Sequence, residues 1–180
     1  MKKFELTTKS ITNEAGKKLF RIKALIDFGD VKAGELGGYV EKEGNVSQDD
    51  NAWVSGDAEV FGNAKVSGNA KVFGNAKVFG NARVSGDALI SGNAWVSGDA
   101  RVYDNADYAL VQGFGIKFRC TTFYRGKNEK IMVNCGCFHG DLEEFRKQVK
   151  ETRSGKIAKE YLMIADLMEY HFVSEDSGDE

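Results

Sequence analysis

A six-residue repeat occupies the middle third of this chain and limits what it can fold into. From Asn51 to Leu110 the sequence repeats [Asn/Asp]-Ala-x-[Val/Ile]-[Ser/Phe/Tyr]-Gly ten times. The alanine recurs in every repeat, and the aliphatic residue recurs until Tyr108 replaces it in the last one. Because so short a unit cannot bury its own apolar face, the repeats must stack and share one continuous core.

Each repeat has the period of a β-strand followed by a corner. Ala-x-Val-x alternates inward apolar residues with outward residues. Gly-Asn or Gly-Asp then follows, and these residue types tolerate the left-handed backbone region that a tight corner needs. Since the inward residues never change identity, the units do not suit hairpins. They suit a coil that turns the same way at every corner.

This phasing resembles the hexapeptide repeat of left-handed parallel β-helices. In that family three hexapeptides form one triangular coil of about 18 residues, and the proteins are commonly homotrimers. The resemblance predicts a mainly β fold with a left-handed parallel β-helix over residues 33–110. Tyr39-Val40 and Asn45-Val46 place a valine in the alanine slot, which predicts one or two degenerate coils before the regular ones.

The sequences on either side of the repeat differ from it. Residues 1–32 contain two alternating segments, FELTTKSI and KLFRIKALI, which predict a β-hairpin cap that turns near Asn13. Residues 111–173 predict a ββαα unit, with strands in IKFRCTTFYRG and KIMVNCGCF. Asp141 and Glu144 form a capping-box pattern at the start of the first helix. Residues 174–180 are acidic and predict a disordered tail.

Three cations form one outward column of the predicted coil. Lys65, Arg83 and Arg101 are 18 residues apart, so their rungs stack at about 4.8 Å. Like charges that pair directly in a sheet destabilise it, and one interpretation is that the column binds an anion or an acidic partner. The interpretation that the sequence favours is a solvated face screened by Asp87 and Asp99.

Aromatic residues near this column suggest one kind of anion. Phe61, Phe79 or Tyr103 could stack on a base, as aromatic side chains do in nucleotide sites. The cations and these aromatics together form the candidate ligand site for a nucleotide or a similar small anion. A host protein with an acidic surface is the other candidate partner.

The outward positions also carry a set of aromatic residues that predicts an interface. The set consists of Trp53, Phe61, Phe73, Phe79 and Trp95. Exposed apolar patches usually mark interaction surfaces. The family resemblance implies that this surface joins the subunits of a homotrimer, and a different ligand is the alternative.

Catalysis is not expected from the repeat. The resemblance points to acyl-CoA-dependent acyltransferases, most of which place a histidine base on the coil. Here His139 and His171 both lie outside the repeat, and Glu59 is a lone carboxylate. We therefore predict a protein that is not an enzyme and needs no cofactor. A degenerate acyltransferase with Glu59 as its base is the alternative.

A metal site is not expected either. Cys120, Cys135, Cys137 and His139 are ligand types for zinc, but Cys-x-Cys is not the usual knuckle spacing. We predict no metal, with a zinc site as the alternative. His139 is expected at the surface or at the entry to a helix.

Charge and composition narrow the partners and the compartment. The net charge is −2, and residues 51–110 hold five Lys and Arg against six Asp and Glu, so nucleic acid and anionic membranes are not expected partners. The N-terminal residues lack the apolar stretch of a signal peptide. With three cysteines, this predicts the reducing cytosol of a host cell.

The flanks carry a second resemblance. RIKALIDFGDVKAGELGGYVEKEGNVSQDDNAWV and VNCGCFHGDLEEFRKQVKE are similar to segments of phage and prophage accessory proteins. That resemblance implies a protein that acts by binding a host component, either inhibiting a defence protein or sequestering a nucleotide signal. A purely structural role in virion assembly is the remaining alternative.

Overall fold

The computed structural model describes residues 1–172, which form two compact units. The first unit spans residues 1–105 and the second begins at Ala106. Both contain β-sheet, and the described helices of the α type lie in the second unit. The acidic segment 174–180, for which the sequence predicts disorder, lies outside the described residues.

The first unit combines a hairpin, a connecting strand and a series of nine two-residue strands, one in each of the first nine repeats. The strands are β1 (Phe4–Thr12), β2 (Lys18–Ala24), β3 (Leu36–Val40), β4 (Trp53–Val54), β5 (Glu59–Val60), β6 (Lys65–Val66), β7 (Lys71–Val72), β8 (Lys77–Val78), β9 (Arg83–Val84), β10 (Leu89–Ile90), β11 (Trp95–Val96) and β12 (Arg101–Val102).

The two-residue strands wind into a parallel β-solenoid of about four turns. Each strand pairs with the strand three repeats further on, as Glu59 does with Lys77. This gives three faces, formed by β4-β7-β10, by β5-β8-β11 and by β6-β9-β12. The alanines and aliphatic residues of the first nine repeats are buried between the faces. The predicted repeat β-helix is confirmed, and its left-handedness stays a prediction.

The hydrogen bonds between coils all run in one direction. The amide of Ser55 donates to the carbonyl of Val72 at 2.9 Å, and the amide of Lys65 donates to the carbonyl of Ala82 at 2.9 Å. The pattern repeats along each face. The first coil therefore presents carbonyl groups without a coil to pair them, and the last coil presents amide groups. At the last coil, the side-chain Oδ1 of Asn105 accepts from the amide of Leu89 at 2.9 Å.

Glycine and asparagine have different roles at the corners of the coil. The repeat glycines have positive φ, for example 69° at Gly62 and 71° at Gly80, and a Cβ there would crowd the coil above. The asparagines do not use the left-handed region, which corrects the sequence-based interpretation. Their side chains form ladders along the corners instead. Asn63 donates to Asn81 at 3.3 Å, and Asn81 donates to Asp99 at 3.1 Å.

The predicted hairpin covers one face of the coil. β1 and β2 pair antiparallel, β2 pairs with β3, and β3 joins β5 in parallel. The sheet therefore runs β1-β2-β3-β5-β8-β11. Gly38 allows this approach, since a Cβ on it would lie 2.7 Å from the Ala58 carbonyl oxygen. Antiparallel β2 therefore takes the place of the parallel coil strand that would otherwise precede β3.

The first coil is two residues longer than the others. Val40 lies opposite Val60, and Val46 opposite Val66, a separation of 20 residues. Both valines therefore occupy the aliphatic slot. The prediction that they fill the alanine slot is wrong, because it assumed coils of equal length. Gln48 lies in the extra length, where its Oε1 accepts from the amide of Lys3 at 2.8 Å.

Lys3 closes the carbonyl end of the solenoid. Its side chain is buried, and Nζ donates to the carbonyls of Asp50 and Ala52 at 2.8 Å each. The Asp50 carboxylate lies 3.6 Å from Nζ, and the Phe28 ring centroid lies 4.8 Å away. Burial lowers the pKa of Lys3, and the charge of Asp50 opposes that shift. The ammonium group thus supplies donors where no preceding coil exists.

Replacing Lys3 by methionine should destabilise the first unit. The change leaves two carbonyls and a carboxylate without their donor, at a cost of about 2 to 4 kcal/mol. Chemical denaturation followed by circular dichroism measures the loss. Lys2→Met is the matched control, because the exposed Lys2 only pairs with Glu43 at 2.8 Å, and should cost less than about 1 kcal/mol. Equal losses for the two variants would contradict the role given to Lys3.

The second unit is a four-stranded antiparallel sheet with two helices. Its elements are β13 (Tyr108–Phe114), β14 (Arg119–Arg125), β15 (Ile131–Cys135), β16 (Phe138–Asp141), α1 (Leu142–Thr152) and α2 (Gly155–Phe172). The strands pair in chain order. β14 and β15 are the two predicted strands, whereas β13 and β16 were not predicted.

The position of β13 shows that the β-helix ends earlier than the sequence predicts. The tenth repeat, residues 105–110, was predicted to belong to the β-helix. The structure ends the coil strands at Val102 and places Tyr108 in β13, opposite Tyr124. The reason is visible in the sequence, since Tyr108 is too large for the slot that valine fills in the other repeats.

The predicted capping box begins α1. The Asp141 carboxylate accepts from the amide of Glu144 at 3.0 Å, and the Glu144 carboxylate accepts from the amide of Asp141 at 2.9 Å. Leu142, Phe145 and Val149 face the core, as their spacing predicts. Within residues 1–172, no helix is long and apolar enough to span a bilayer, and this includes α1 and α2.

Removing this cap should destabilise the second unit in a pH-dependent way. The amide of Glu144, followed by Lys130, holds the pKa of Asp141 below its usual value. The stabilisation is therefore present above about pH 4, the pKa of an unfolded aspartate, and is lost as pH falls through the lower folded value. Urea denaturation at pH 7 should show Asp141→Ala less stable by about 1 kcal/mol. The difference should shrink below about pH 3, and a pH-independent difference would contradict the role given to the Asp141 carboxylate.

Candidate functional site

The basic column is the most distinctive charged feature of the solenoid. Parallel pairing places Lys65 opposite Arg83, and Arg83 opposite Arg101, on the face formed by β6, β9 and β12. We call these three residues the basic column. They line an open groove of about 460 Å³, in which Lys42 adds a fourth cation. The sequence-based prediction that the column comes together on one face is confirmed.

The cations of this column lack the ion pairs that the other coil cations have. Lys71 pairs with Asp30 at 2.6 Å, and Lys77 lies 3.3 Å from Glu14 and 3.7 Å from Glu59. Among residues 1–172, no ion pair within 4.0 Å is formed by the basic column or by Lys42. The groove therefore brings together four cations that form no close ion pair among the described residues.

One corner ladder forms a polar wall of the groove. Asn63, Asn81 and Asp99 line it, and the amide of Asn81 donates to Asp99 at 3.1 Å. Asp99 reduces the positive charge of the groove, as the screening alternative expects. Asp87 belongs to another ladder, where it accepts from Asn69 at 3.0 Å, and it does not line the groove. Four cations face one carboxylate, so the groove remains positive.

Two of the aromatic residues predicted to stack on a base are engaged elsewhere. Phe61 is buried with Leu19 and Tyr39 under the hairpin, which is why it is not available to a ligand in the groove. Phe79 stacks on Phe61 with ring centroids 5.0 Å apart. Tyr103 is 54% exposed and directly follows β12, the strand of Arg101. Of the three, Tyr103 is the most exposed.

The hairpin and its neighbours also occupy part of the predicted oligomer interface. Trp53 is buried, with edge contacts to Phe4 at 6.2 Å and Phe28 at 5.4 Å. The prediction that Trp53 and Phe61 face another subunit is therefore wrong, because segments of the same chain cover them. Phe73 is 38% exposed. Trp95 is half-buried against Phe79 and carries Lys77 5.3 Å above its ring.

Glu59 is hydrogen-bonded to the hairpin, and the candidate zinc ligands do not cluster among residues 1–172. Glu59 is buried beneath the hairpin, where its carboxylate accepts from Asn13 at 3.0 Å. Thr121 donates to the sulfur of Cys135 at 3.1 Å, and Cys137 and His139 are exposed. Within residues 1–172, no three potential ligands of the His, Cys, Asp or Glu type come together around a possible metal position.

Comparison with known proteins supports the repeat and supplies no activity. A family model described as the YdcK beta solenoid repeat matches residues 76–92 and again 82–98. The two matches are offset by one hexapeptide and lie wholly within the coil. They cover a small part of the chain, so the chain is similar to this repeat over that segment. Among curated proteins, none is similar enough in sequence to be matched.

Repulsion within the basic column should lower the free energy of unfolding of the solenoid. Because Arg83 lies between two other cations, Arg83→Gln should raise the free energy of unfolding by roughly 0.3 to 1 kcal/mol at low salt. The gain should fall in about 1 M salt, where charges are screened within about 3 Å. Thermal or urea denaturation at the two salt concentrations measures it. Lys71→Gln is the control, since it loses the pair with Asp30 and should be slightly destabilising.

Proposed function

We propose that this protein acts without catalysis, by binding a polyanion in the groove of the basic column. The observation that carries the proposal is the column itself, in which Lys65, Arg83 and Arg101 are directly paired and have no acidic partner within the described residues. An arrangement that opposes folding is retained most readily where it serves binding. A solvated face with no ligand is the alternative that the titration below tests.

The spacing of the cations favours a ligand with several adjacent charges. Neighbouring rungs of a sheet are about 4.8 Å apart, so three cations extend over roughly 10 Å. Arginine presents a planar fork that binds phosphate or carboxylate oxygens with two hydrogen bonds. A chain of phosphates, as in a nucleoside triphosphate, matches this linear arrangement. Tyr103 is exposed and lies two residues after Arg101 in the chain, which supports it as the residue that would contact a base.

The wider role we propose is binding to a host component. The resemblance of the flanks to phage and prophage accessory proteins supports a host-directed role, in which the groove sequesters a nucleotide signal or takes an acidic segment of a defence protein. The first of these fits a narrow groove better, since it needs only a few adjacent charges. We propose that the protein acts in the host cytosol, which is consistent with its three cysteines.

Self-association is a separate part of the proposal. A homotrimer would have to use surfaces that the hairpin leaves open. Phe73 and Leu89 are exposed on the coil, at 38% and 39%, and both belong to the rungs of the face formed by β4, β7 and β10. Native mass spectrometry of the purified protein gives the number of subunits directly.

Charge reversal in the column should weaken the binding of a polyphosphate. Calorimetric titration with ATP and with inorganic triphosphate at low ionic strength should show binding that weakens as salt is added. Arg83→Glu should reduce the affinity by about tenfold or more, because it removes a charge-assisted contact and adds repulsion.

A matched variant controls for the change in net charge. Lys9→Glu alters the charge equally at an exposed position of β1, outside the groove, and should leave the affinity within about twofold. The subunit number should be the same for both variants. If neither phosphate compound binds, or if both variants bind as the original chain does, the groove is not the ligand site.

A further inference from the structure

A pocket in the second unit lies outside everything proposed for the solenoid. It has a volume of about 290 Å³, close to the lower limit of small-molecule sites. The turn between β13 and β14, the ends of β15 and β16, and both helices contribute to it. The strand order of the sheet and the packing of α1 and α2 on it bring these segments together.

The inner wall of the pocket is apolar and held by ring contacts. Phe145 is buried, and its ring centroid lies 5.5 Å from that of Phe138 and 5.9 Å from that of Tyr161. Val149 continues this wall one turn along α1. The Tyr161 hydroxyl donates to the carbonyl of Phe114 at 3.3 Å, which fixes the ring. The wall therefore offers a preformed surface for an apolar group.

The rim of the same pocket is cationic. Lys117, Arg119 and Arg153 line it, and no acidic side chain does. In the described part of the chain these three cations form no ion pair within 4.0 Å, although other arginines of the unit do. Arg125 pairs with Asp107 at 2.9 Å, and Arg146 pairs with three carboxylates.

The positive charge reaches the interior of the pocket. Burial and the neighbouring Cys135 thiol raise the pKa of the Tyr161 phenol, and the charges of Arg153 and Arg119 oppose that shift. The phenol therefore lies within the field of both guanidinium groups. Arg119 extends across the face of Gly136, where any Cβ would collide with it. A glycine at this position leaves room for the guanidinium group beside the pocket.

Ile116 adds apolar surface at the mouth. It lines the pocket and is 72% exposed. Phe118, in the same turn, is 67% exposed. A molecule that fills the pocket would cover part of this surface and remove it from water.

We propose that this pocket binds a small amphipathic anion, with an apolar chain or ring against Phe145, Val149 and Tyr161 and an acidic group at Arg119 and Arg153. A neutral apolar molecule would leave the cations without a counter-charge. A bare inorganic anion would leave the apolar wall in water. A carboxylate, sulfonate or phosphate monoester on an apolar body satisfies both parts. The site is independent of the polyanion groove.

The test uses the full chain and a fluorescent probe of this chemistry, anilinonaphthalene sulfonate. We expect a saturable increase in fluorescence with one probe per chain. Decanoate should displace the probe, whereas acetate and decanol should displace it at least about tenfold less effectively, because each lacks one of the two features. Displacement by decanol equal to that by decanoate would overturn the role of the cations.

Variants locate the binding within the pocket. Arg119→Glu should weaken probe binding by about tenfold. Gln148→Trp places an indole at the lining of the pocket and should also weaken it. Lys127→Glu makes the same charge change at an exposed turn outside the pocket and should have no effect. Equal binding by Arg119→Glu and Lys127→Glu would overturn the proposal.

Two further measurements establish whether the probe binds in this pocket or elsewhere on the chain. Circular dichroism shows whether each variant is folded, and Gln148→Trp keeps the test decisive if Arg119→Glu is not. Arg83→Glu should leave probe binding unchanged, because it alters only the solenoid. If Arg83→Glu alone abolished probe binding, the anion would be bound in the groove and the pocket assignment would be wrong.

Discussion

The hydrogen bonds between coils all run in the same direction, and much of the first unit follows from that. Each amide donates towards the C-terminal end, as Ser55 does to Val72. A stack of identical coils thus has one end of bare carbonyls and one of bare amides, and buried groups of either kind are costly. The carbonyl end receives donors from Lys3 and Asn45, and the amide end receives an acceptor from Asn105. The repeat therefore depends on residues that do not repeat.

Closing the carbonyl end also determines which surfaces remain for function. The hairpin that extends the sheet beyond β5 lies over Phe61 and Glu59, two residues that the repeat pattern presents as outward and available. It also supplies Glu14 as a partner for Lys77. No residue of β1 or β2 lines the groove on the face of β6, β9 and β12. Its cations form no ion pair within the described residues, which is why we propose this face as the site of a ligand of opposite charge.

The two units offer different chemistry for anions. The groove on the solenoid is open and polar, and its charges follow the linear spacing of the rungs. The pocket of the second unit is smaller and has an apolar wall behind its cations. An extended polyphosphate and a compact amphipathic anion are therefore suited to different sites. Because the sites lie on separate units, each can be altered by single substitutions that leave the other intact.

The periodic part of the protein can be read from the sequence alone. The hexapeptide period places Lys65, Arg83 and Arg101 on one face, and the spacing around Asp141 predicts α1 with its cap, because both patterns depend on residues close in sequence. The length of the first coil, the role of Lys3 and the burial of Trp53 could not be predicted in this way. They depend on contacts between segments far apart in the chain, such as Lys3 and Asp50. A local sequence pattern does not indicate which distant segment packs on a given face, so the tertiary structure determines these features.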